Sequence, residues 1–307
     1  MDHLKAMRVF ERVAERASLA MASEDLGLSR GSASAIVSQL ERHLGVQLLE
    51  RNTRSLRLTE DGLRYLERAR GILGEVELLE EEIGSAEHAA RGRLRIQAPS
   101  GLVRLVIAPS LPGFFADHPQ VELELLSRNS LPDFVGDQID AALVVGELPE
   151  LDIVARHVGR IPFVTVASPA YLARSGEPAS PEDLARHACI SALSTVNGAR
   201  VPWRFRIGED TVPVAINGPA AFESGDSAVA SAVRGLGVLQ LASYLVYDEI
   251  RAGRLRTILD GFRPPGRDLN IVHPRHRLKP KKLRVFEDFL LQLNLRTRQK
   301  WGIRQVD

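Results

Sequence analysis

The spacing of apolar positions divides the chain into three stretches. Residues 2–17 place Leu4, Met7, Phe10, Val13, Ala14 and Ala17 three and four apart, which predicts a helix with one buried face. Ser18 suits an N-cap and predicts a second, short helix over 19–26, ended by Gly27. Ser29 opens a third helix whose inward stripe is Ala33, Ile36, Val37 and Leu40. Two helices joined by a short glycine-containing turn form a helix-turn-helix. Beyond it Leu44, Val46, Leu48 and Leu49 are expected to pack inward, and Leu56 and Leu58 alternate as in a hairpin strand. Thr59, followed by Glu60 and Asp61, starts a long helix. Its apolar residues Tyr65, Ala69, Ile72, Val76, Leu79 and Ile83 repeat at heptad spacing, a seam that predicts pairing with a second copy. Its run of glutamates reads as a solvated face.

After Gly92 strand-like and helix-like runs alternate. Strands are expected at 94–98, Val121–Ser127 and Ala141–Val145, with an apolar helix near 103–115. Val121, Leu123 and Leu125 alternate with Glu122 and Glu124, as in a half-exposed strand. A second set begins at Phe163–Ala167. It has helices near 181–187, 226–234 and 243–252 and strands near 212–216 and 237–241. A strand at 269–273 and a helix at 280–295 complete the pattern. Such alternation predicts an α/β fold with a largely parallel sheet.

Charge narrows the function. The 307 residues carry 40 Lys and Arg against 39 Asp and Glu, so binding to nucleic acid must come from a local basic patch. The one cysteine, Cys189, excludes an intrachain disulfide and a cysteine-rich zinc site, and its stretch at 188–190 reads as buried. The charged, amphipathic N-terminus is not a signal peptide, and no run is long and apolar enough for a membrane span, so a cytoplasmic protein is expected. There is no P-loop and no GxGxxG after a strand; Gly235 and Gly237 lack the third glycine. His273 and His276 are separated by Pro274 and Arg275, a poor shared metal face. No catalytic residue, metal or cofactor is assigned.

The candidate chemistry is DNA reading. Ser29, Arg30, Ser32, Ser34, Ala35 and Ser38 form a small, hydrogen-bonding face on the third helix, suited to a major groove. Arg51, Arg54 and Arg57 recur in RNTRSLRLT, where guanidinium groups on a wing suit phosphate contacts.

With these residues the stretch from LKAMRVFERV to LLERNTRSLRLTEDG resembles the winged helix-turn-helix of LysR-type transcriptional regulators. The phrase LGLS, then Ser34, then QLERHLGVQLLERNTRSLRLTEDG carries the likeness. Two positions depart from it: Ala35 stands where the family usually has Arg or Lys, and Ala33 where it has a larger aliphatic residue. The phrases GRLRIQAPSG, VELELLS, VASPAYLARSG, GLGVL and LNIVHPRHRLKPKKLRVFEDFL resemble the family's two-lobed, periplasmic-binding-protein-like effector domain. The implied organisation is a winged helix-turn-helix over 1–58 and a linker dimerisation helix over 59–90. Effector lobe I then takes 93–162 and 268–307, and lobe II takes 163–267.

Ligands in such folds bind at the carboxyl ends of strands and at helix N-termini. That points to Ser100, Gly101, Ser127, Arg128, Val145, Gly146, Ser224 and Asp226 as effector residues; Gln240 occupies a position where the family often has a proline-bearing turn. The implied function is a DNA-binding transcriptional regulator, a homodimer or homotetramer on a pseudo-palindromic double-stranded site. A small-molecule effector, with a carboxylate favoured, controls it, and RNA polymerase is a further partner. A second reading stays open here: a cytoplasmic small-molecule binding protein whose N-terminal domain only oligomerises.

Overall fold

The computed structural model describes residues 1–52, 55–83, 89–194, 198–275 and 279–300; the side chains of 51, 52, 55, 77, 78, 80–83 and 295–300 lie outside the description. The head begins with α1 (His3–Arg16), α2 (Leu19–Asp25) and α3 (Arg30–Leu44). Each starts on an oxygen-bearing cap: Asp2 accepts from the Lys5 N–H at 3.0 Å, Ser18 from Met21 at 3.4 Å and Ser29 from Ser32 at 3.1 Å. Phe10, Val13, Ala22, Ala33, Val37 and Leu40 close one apolar core, with Leu48 and Leu49 from the wing side. Leu4, at the start of α1, is 41% exposed and takes no part in it.

The wing is the antiparallel pair β1 (Leu49–Asn52) and β2 (Ser55–Leu58), with Leu49 opposite Leu58 and Arg51 opposite Leu56. Leu44 and Val46 were expected inside and are exposed. Gly45, at φ +72°, ends α3 in the left-handed region and turns the chain outward before the wing begins. The Glu41 carboxylate then accepts from the Leu48 and Leu49 N–H groups at 3.0 and 3.1 Å, so the chain re-enters the core only at Leu48.

The long helix α4 (Glu60–Ile83) docks tightly at its root. Thr59 accepts from the Gly62 N–H at 2.9 Å and donates to the Gln47 carbonyl at 2.7 Å. A Cβ at Gly62 would stand 2.1 Å from the Leu48 carbonyl oxygen, so glycine is required for the approach. Gly62→Ala should therefore lower the head's stability by about 1–3 kcal/mol, read as an earlier denaturant midpoint for the helical signal. Further along, Arg70 is nearly buried and pairs with Glu11 at 3.1 Å and Glu15 at 3.4 Å, tying α4 to α1. Burial pushes the Glu11 carboxyl up, and the Arg70 charge opposes it.

The remaining chain forms two five-stranded sheets. The first contains β3 (Gly92–Ala98), β4 (Val121–Ser127), β5 (Ala141–Val145), β6 (Ile153–Ile161) and β14 (Arg267–Pro274), ordered β4-β3-β5-β14-β6. The second contains β7 (Phe163–Ala167), β8 (Cys189–Ala192), β11 (Ala220–Phe222), β12 (Val238–Ala242) and β13 (Arg256–Ile258), ordered β11-β8-β12-β7-β13. A separate hairpin, β9 (Trp203–Ile207) with β10 (Asp210–Val214), attaches to the second lobe.

The sheets are mixed, not largely parallel. β3 runs parallel to β4 and β5, whereas β14 is antiparallel to β5 and β6. β8 runs parallel to β11 and β12, whereas β7 is antiparallel to β12 and β13. The cause is the pair of crossovers near Pro162 and Pro264–Gly266: each strand delivered through one arrives against the direction of its neighbours. Apolar helices cover the sheets, with α10 (Lys281–Lys300) placing Leu283, Phe286 and Leu290 in the first core. α8 (Gly225–Val233) places Ala228 and Ala232 in the second.

The helix expected at 103–115 is broken into segments. It begins as α5 (Ser100–Leu102), widens to a π-turn at Val103–Ile107, tightens to a 3-10 turn at Ala108–Ser110, and resumes as α6 (Leu111–Asp117). Pro109 has no N–H to return to the preceding turn, so the regular ladder cannot continue through it. The segment at 181–187 is likewise a 3-10 helix, Pro181–Arg186. α7 (Pro169–Ser175) and α9 (Ser243–Arg251) complete the second lobe. Among the described residues no helix is long and apolar enough to cross a membrane.

Candidate functional site

The outward face of α3 follows from its buried one. Ala33, Val37 and Leu40 are fully buried, which leaves Arg30, Gly31, Ser32, Ala35 and Gln39 exposed on the opposite side. Ser29 and Ser32 share a hydrogen bond of 2.8 Å at the helix start, so the cap itself sits on this face. Ser34 and Ser38 are half-buried flanks. Gln39 was missed in the sequence reading, although its spacing of four from Ala35 carries it onto the same face. On the wing Arg57 is exposed opposite Glu50. The side chain of Arg51 and all of Arg54 lie outside the described residues.

The seam of α4 divides by height. Tyr65 sets its ring edge on Phe10 at 5.4 Å, and Ala69 is buried in its own chain together with Leu66 and Leu73. Ala69 is therefore covered by its own chain, and Tyr65 is half-buried against the head. Heptad spacing alone does not distinguish the two outcomes. Higher up, Ile72 is 44% exposed, Leu79 is 55% exposed and Val76 is half-buried. The side chain of Ile83 lies outside the described residues.

Between the lobes lies a cavity of about 840 Å3. Lobe I contributes Gly146, Glu147, Asp268 and Arg267, the last being the first residue of β14 in the first sheet and not the end of lobe II as expected; lobe II contributes Arg204 and Gln240, with Phe163 and Pro264–Gly266 from the crossovers. Gly146, at φ +95°, donates to the Asp268 carbonyl at 2.8 Å and fixes the cavity's floor. Gln240 is buried and fully used: its carbonyl accepts from the Arg204 N–H at 3.2 Å and its amide donates to the Arg204 carbonyl at 3.0 Å. It thereby locks the β9 hairpin to the sheet.

Most of the residues expected at an effector site do not line this cavity. Of the eight, Gly146 lines this cavity. The Ser100 N–H was expected free and donates instead to the Asn129 side chain at 3.2 Å. Gly101 lies against Leu245 and Tyr244, where a Cβ would collide at 2.5 Å. Arg128 pairs with Asp137 at 2.6 Å, Ser127 is exposed, and Val145 is paired in the sheet with Leu269. Ser224 begins α8 but makes no side-chain cap bond. Asp226 is held in an ion pair by Arg104 and lines a separate cavity of about 850 Å3 beside α8 and α9. Ser100 lines neither of these two cavities, whereas Arg104, four residues on, reaches Asp226 from lobe I beside the second one.

The sequence reading missed Arg204, Arg267, Glu147 and Phe163. One signal was available: WRFRI alternates, with Trp203 and Phe205 buried and Arg204 and Arg206 exposed. Cys189 is buried against the Leu184 and His187 carbonyls, and burial pushes its thiol up to about 12, which suits packing and not nucleophilic chemistry. His273 is buried, and burial pulls its imidazole below the usual range; His276 lies outside the described residues.

Comparison with known proteins agrees with this architecture. The family model for the bacterial regulatory helix-turn-helix protein, lysR family, matches residues 4–63, and that for the LysR substrate binding domain matches residues 87–294. The chain is 34% identical to the HTH-type transcriptional regulator YhjC of Escherichia coli, over 94% of this chain and 97% of that protein. It is 33% identical to the HTH-type transcriptional regulator CrgA of Neisseria meningitidis, over 93% of this chain and 95% of that one. The solved structure of CrgA superposes with a TM-score of 0.59 at 32% identity, covering 94% and 97% of the two chains. Full-length OxyR of Pseudomonas aeruginosa superposes at 0.71 with 17% identity, a likeness of fold alone. With both family models and full-length relatives matched, the chain belongs to the LysR family of transcriptional regulators.

Proposed function

We propose that the protein binds a pseudo-palindromic DNA site as a dimer or a dimer of dimers, and that a small molecule seated between its effector lobes changes this binding. The observation that carries the reading is the exposed α3 face, presented on a capped helix whose opposite side is fully buried. Small side chains there let the backbone sit deep in a major groove, where Arg30, Ser32 and Gln39 can reach base edges. Wing arginines supply phosphate contacts and most of the affinity. The stripe of exposed Ile72 and Leu79 with half-buried Val76 between them pairs the two copies through α4. The effector works by preferring one lobe arrangement, which alters the spacing of the paired heads and the contact with RNA polymerase. The protein is read as cytoplasmic, and as a regulator without catalytic residues or a cofactor.

The test is on the reading helix. Ala35 is exposed at its centre and contributes no hydrogen bond from its side chain. Ala35→Arg should tighten binding by about 1–3 kcal/mol at sites with a guanine under that position, measured by gel-shift against single-base variants. A variant with unchanged affinity and unchanged base preference would remove α3 from the groove.

A further inference from the structure

The interlobe cleft holds more positive charge than the chain itself neutralises. Arg204 projects from β9 with its backbone fixed at both N–H and carbonyl by Gln240, and its side chain is exposed at the cavity. Arg267 lies across the cavity on β14, its guanidinium carbon over the Phe163 ring at 4.5 Å from the centroid. Among the described residues neither guanidinium has a carboxylate within 4.0 Å. Arg200 also lines the cavity and donates to neutral acceptors, the Ser191 hydroxyl at 2.9 Å and the Gly218 carbonyl at 3.4 Å. Of the two carboxylates at the rim, Asp268 is already committed to Arg160 at 2.9 Å, with His157 at 3.4 Å. Glu147, which has no ion pair among the described residues, is the other carboxylate of the lining and acts on Arg267.

Burial lowers the pKa of Arg267, the charge of Arg204 lowers it further, and Glu147 works against both. Two like charges from opposite lobes therefore repel across the cavity, and an anion between them would remove that repulsion and draw the lobes together. Stacking on Phe163 leaves the edge of the Arg267 guanidinium available for a bidentate carboxylate.

We propose that the effector is a small molecule with two anionic groups on a short spacer, a dicarboxylate in the simplest case, bridging Arg204 of lobe II and Arg267 of lobe I. This inference rests on the reading of the cleft as the effector site and names the ligand class it takes. A ligand anchored on one lobe has equal affinity for open and closed arrangements and shifts nothing; one that spans the two arginines favours closure.

The test uses the full-length protein and calorimetry at low salt. Succinate, glutarate and phthalate are compared with their monoamides, which keep the size and lose one charge, and with sulfate as a compact dianion. The diacids of matching length are expected to bind at least about tenfold more tightly than their monoamides. Arg204→Gln and Arg267→Gln should each abolish that preference. Thr211→Trp, which fills the cavity from β10, should abolish binding altogether. Equal binding of diacid and monoamide that is lost in Thr211→Trp would overturn the dianion while leaving the cleft as the site. Diacid binding that persists unchanged in Thr211→Trp and in both arginine variants would overturn the cleft reading as well. Sulfate matching the diacids, or no diacid binding at millimolar concentration, also overturns the proposal.

Discussion

Ile72→Asp with Leu79→Asp is expected to convert the protein to a monomer at micromolar concentration while both effector lobes stay folded. The two side chains stand more than two-fifths exposed on α4, one and two heptads beyond Tyr65, which with Leu66 anchors the root of the helix to its own head. Aspartates there leave the anchored face and the Arg70 pairs with Glu11 and Glu15 untouched, so the single chain loses little. In the dimer they would place unpaired carboxylates in an apolar seam, a cost of several kcal/mol for each copy. Loss of the second head removes the linkage between half-sites, and affinity for the full site should fall by about a hundredfold to ten-thousandfold. Sedimentation velocity reads the mass, and the buried Trp203 reports the fold of lobe II. A double variant that sediments as the parent protein does would place the interface off α4.

The second large effect is on DNA affinity itself. Arg51→Ala with Arg54→Ala should weaken binding to every sequence by similar factors and reduce the salt slope by about two for each bound head, about four for a dimer, one for each lost phosphate contact. The warrant is the wing's position in the fold. β1 and β2 extend from the same core that seats α3, and Glu41 ties that helix to the wing's first residues through Leu48 and Leu49. The described strands of this hairpin are thereby held beside the reading helix. Arg57→Ala is the comparison, because Arg57 stands opposite Glu50 in the ladder and its charge is partly offset there. Titrations over a range of salt concentrations measure both quantities. An unchanged slope would take the wing off the phosphate backbone.

The head was legible in the sequence because its signals are local. Ser18, Ser29 and Thr59 announce helix starts, and the spacing of Ala33, Val37 and Leu40 fixes which side of α3 is buried. Leu44 and Val46 were misplaced because an apolar side chain says nothing about which way the chain leaves Gly45. Tyr65 and Ala69 follow the same heptad as Ile72 and Leu79, yet Tyr65 packs on Phe10 of α1 and Ala69 is buried in its own chain. Periodicity defines a face, and the packing partner is a tertiary fact. The strands at Val121–Ser127 and Ala141–Val145 were legible by alternation and by continuous apolarity, but neither pattern encodes strand direction, hence the mixed sheets.

The effector cleft was the least legible part. Helix starts after strands pointed to Ser100 and Asp226, and both side chains or their backbone donors are already engaged within the chain. Arg204 and Arg267 lie far apart in sequence and meet only because two crossovers fold β14 back beside β6. Their lack of a carboxylate partner is visible only once the fold has assigned Asp268 to Arg160.

Selection from a pool of random DNA duplexes tests the central claim most directly. The dimeric, α3-reading account predicts enrichment of one motif with two inverted half-sites centred about one helical turn apart, or a multiple of it. That motif should be bound at least about a thousandfold more tightly than unselected DNA, and the preference should vanish with Ile72→Asp and Leu79→Asp. A pool that yields no motif after repeated rounds, or a single half-site bound as well by the double variant, would contradict it.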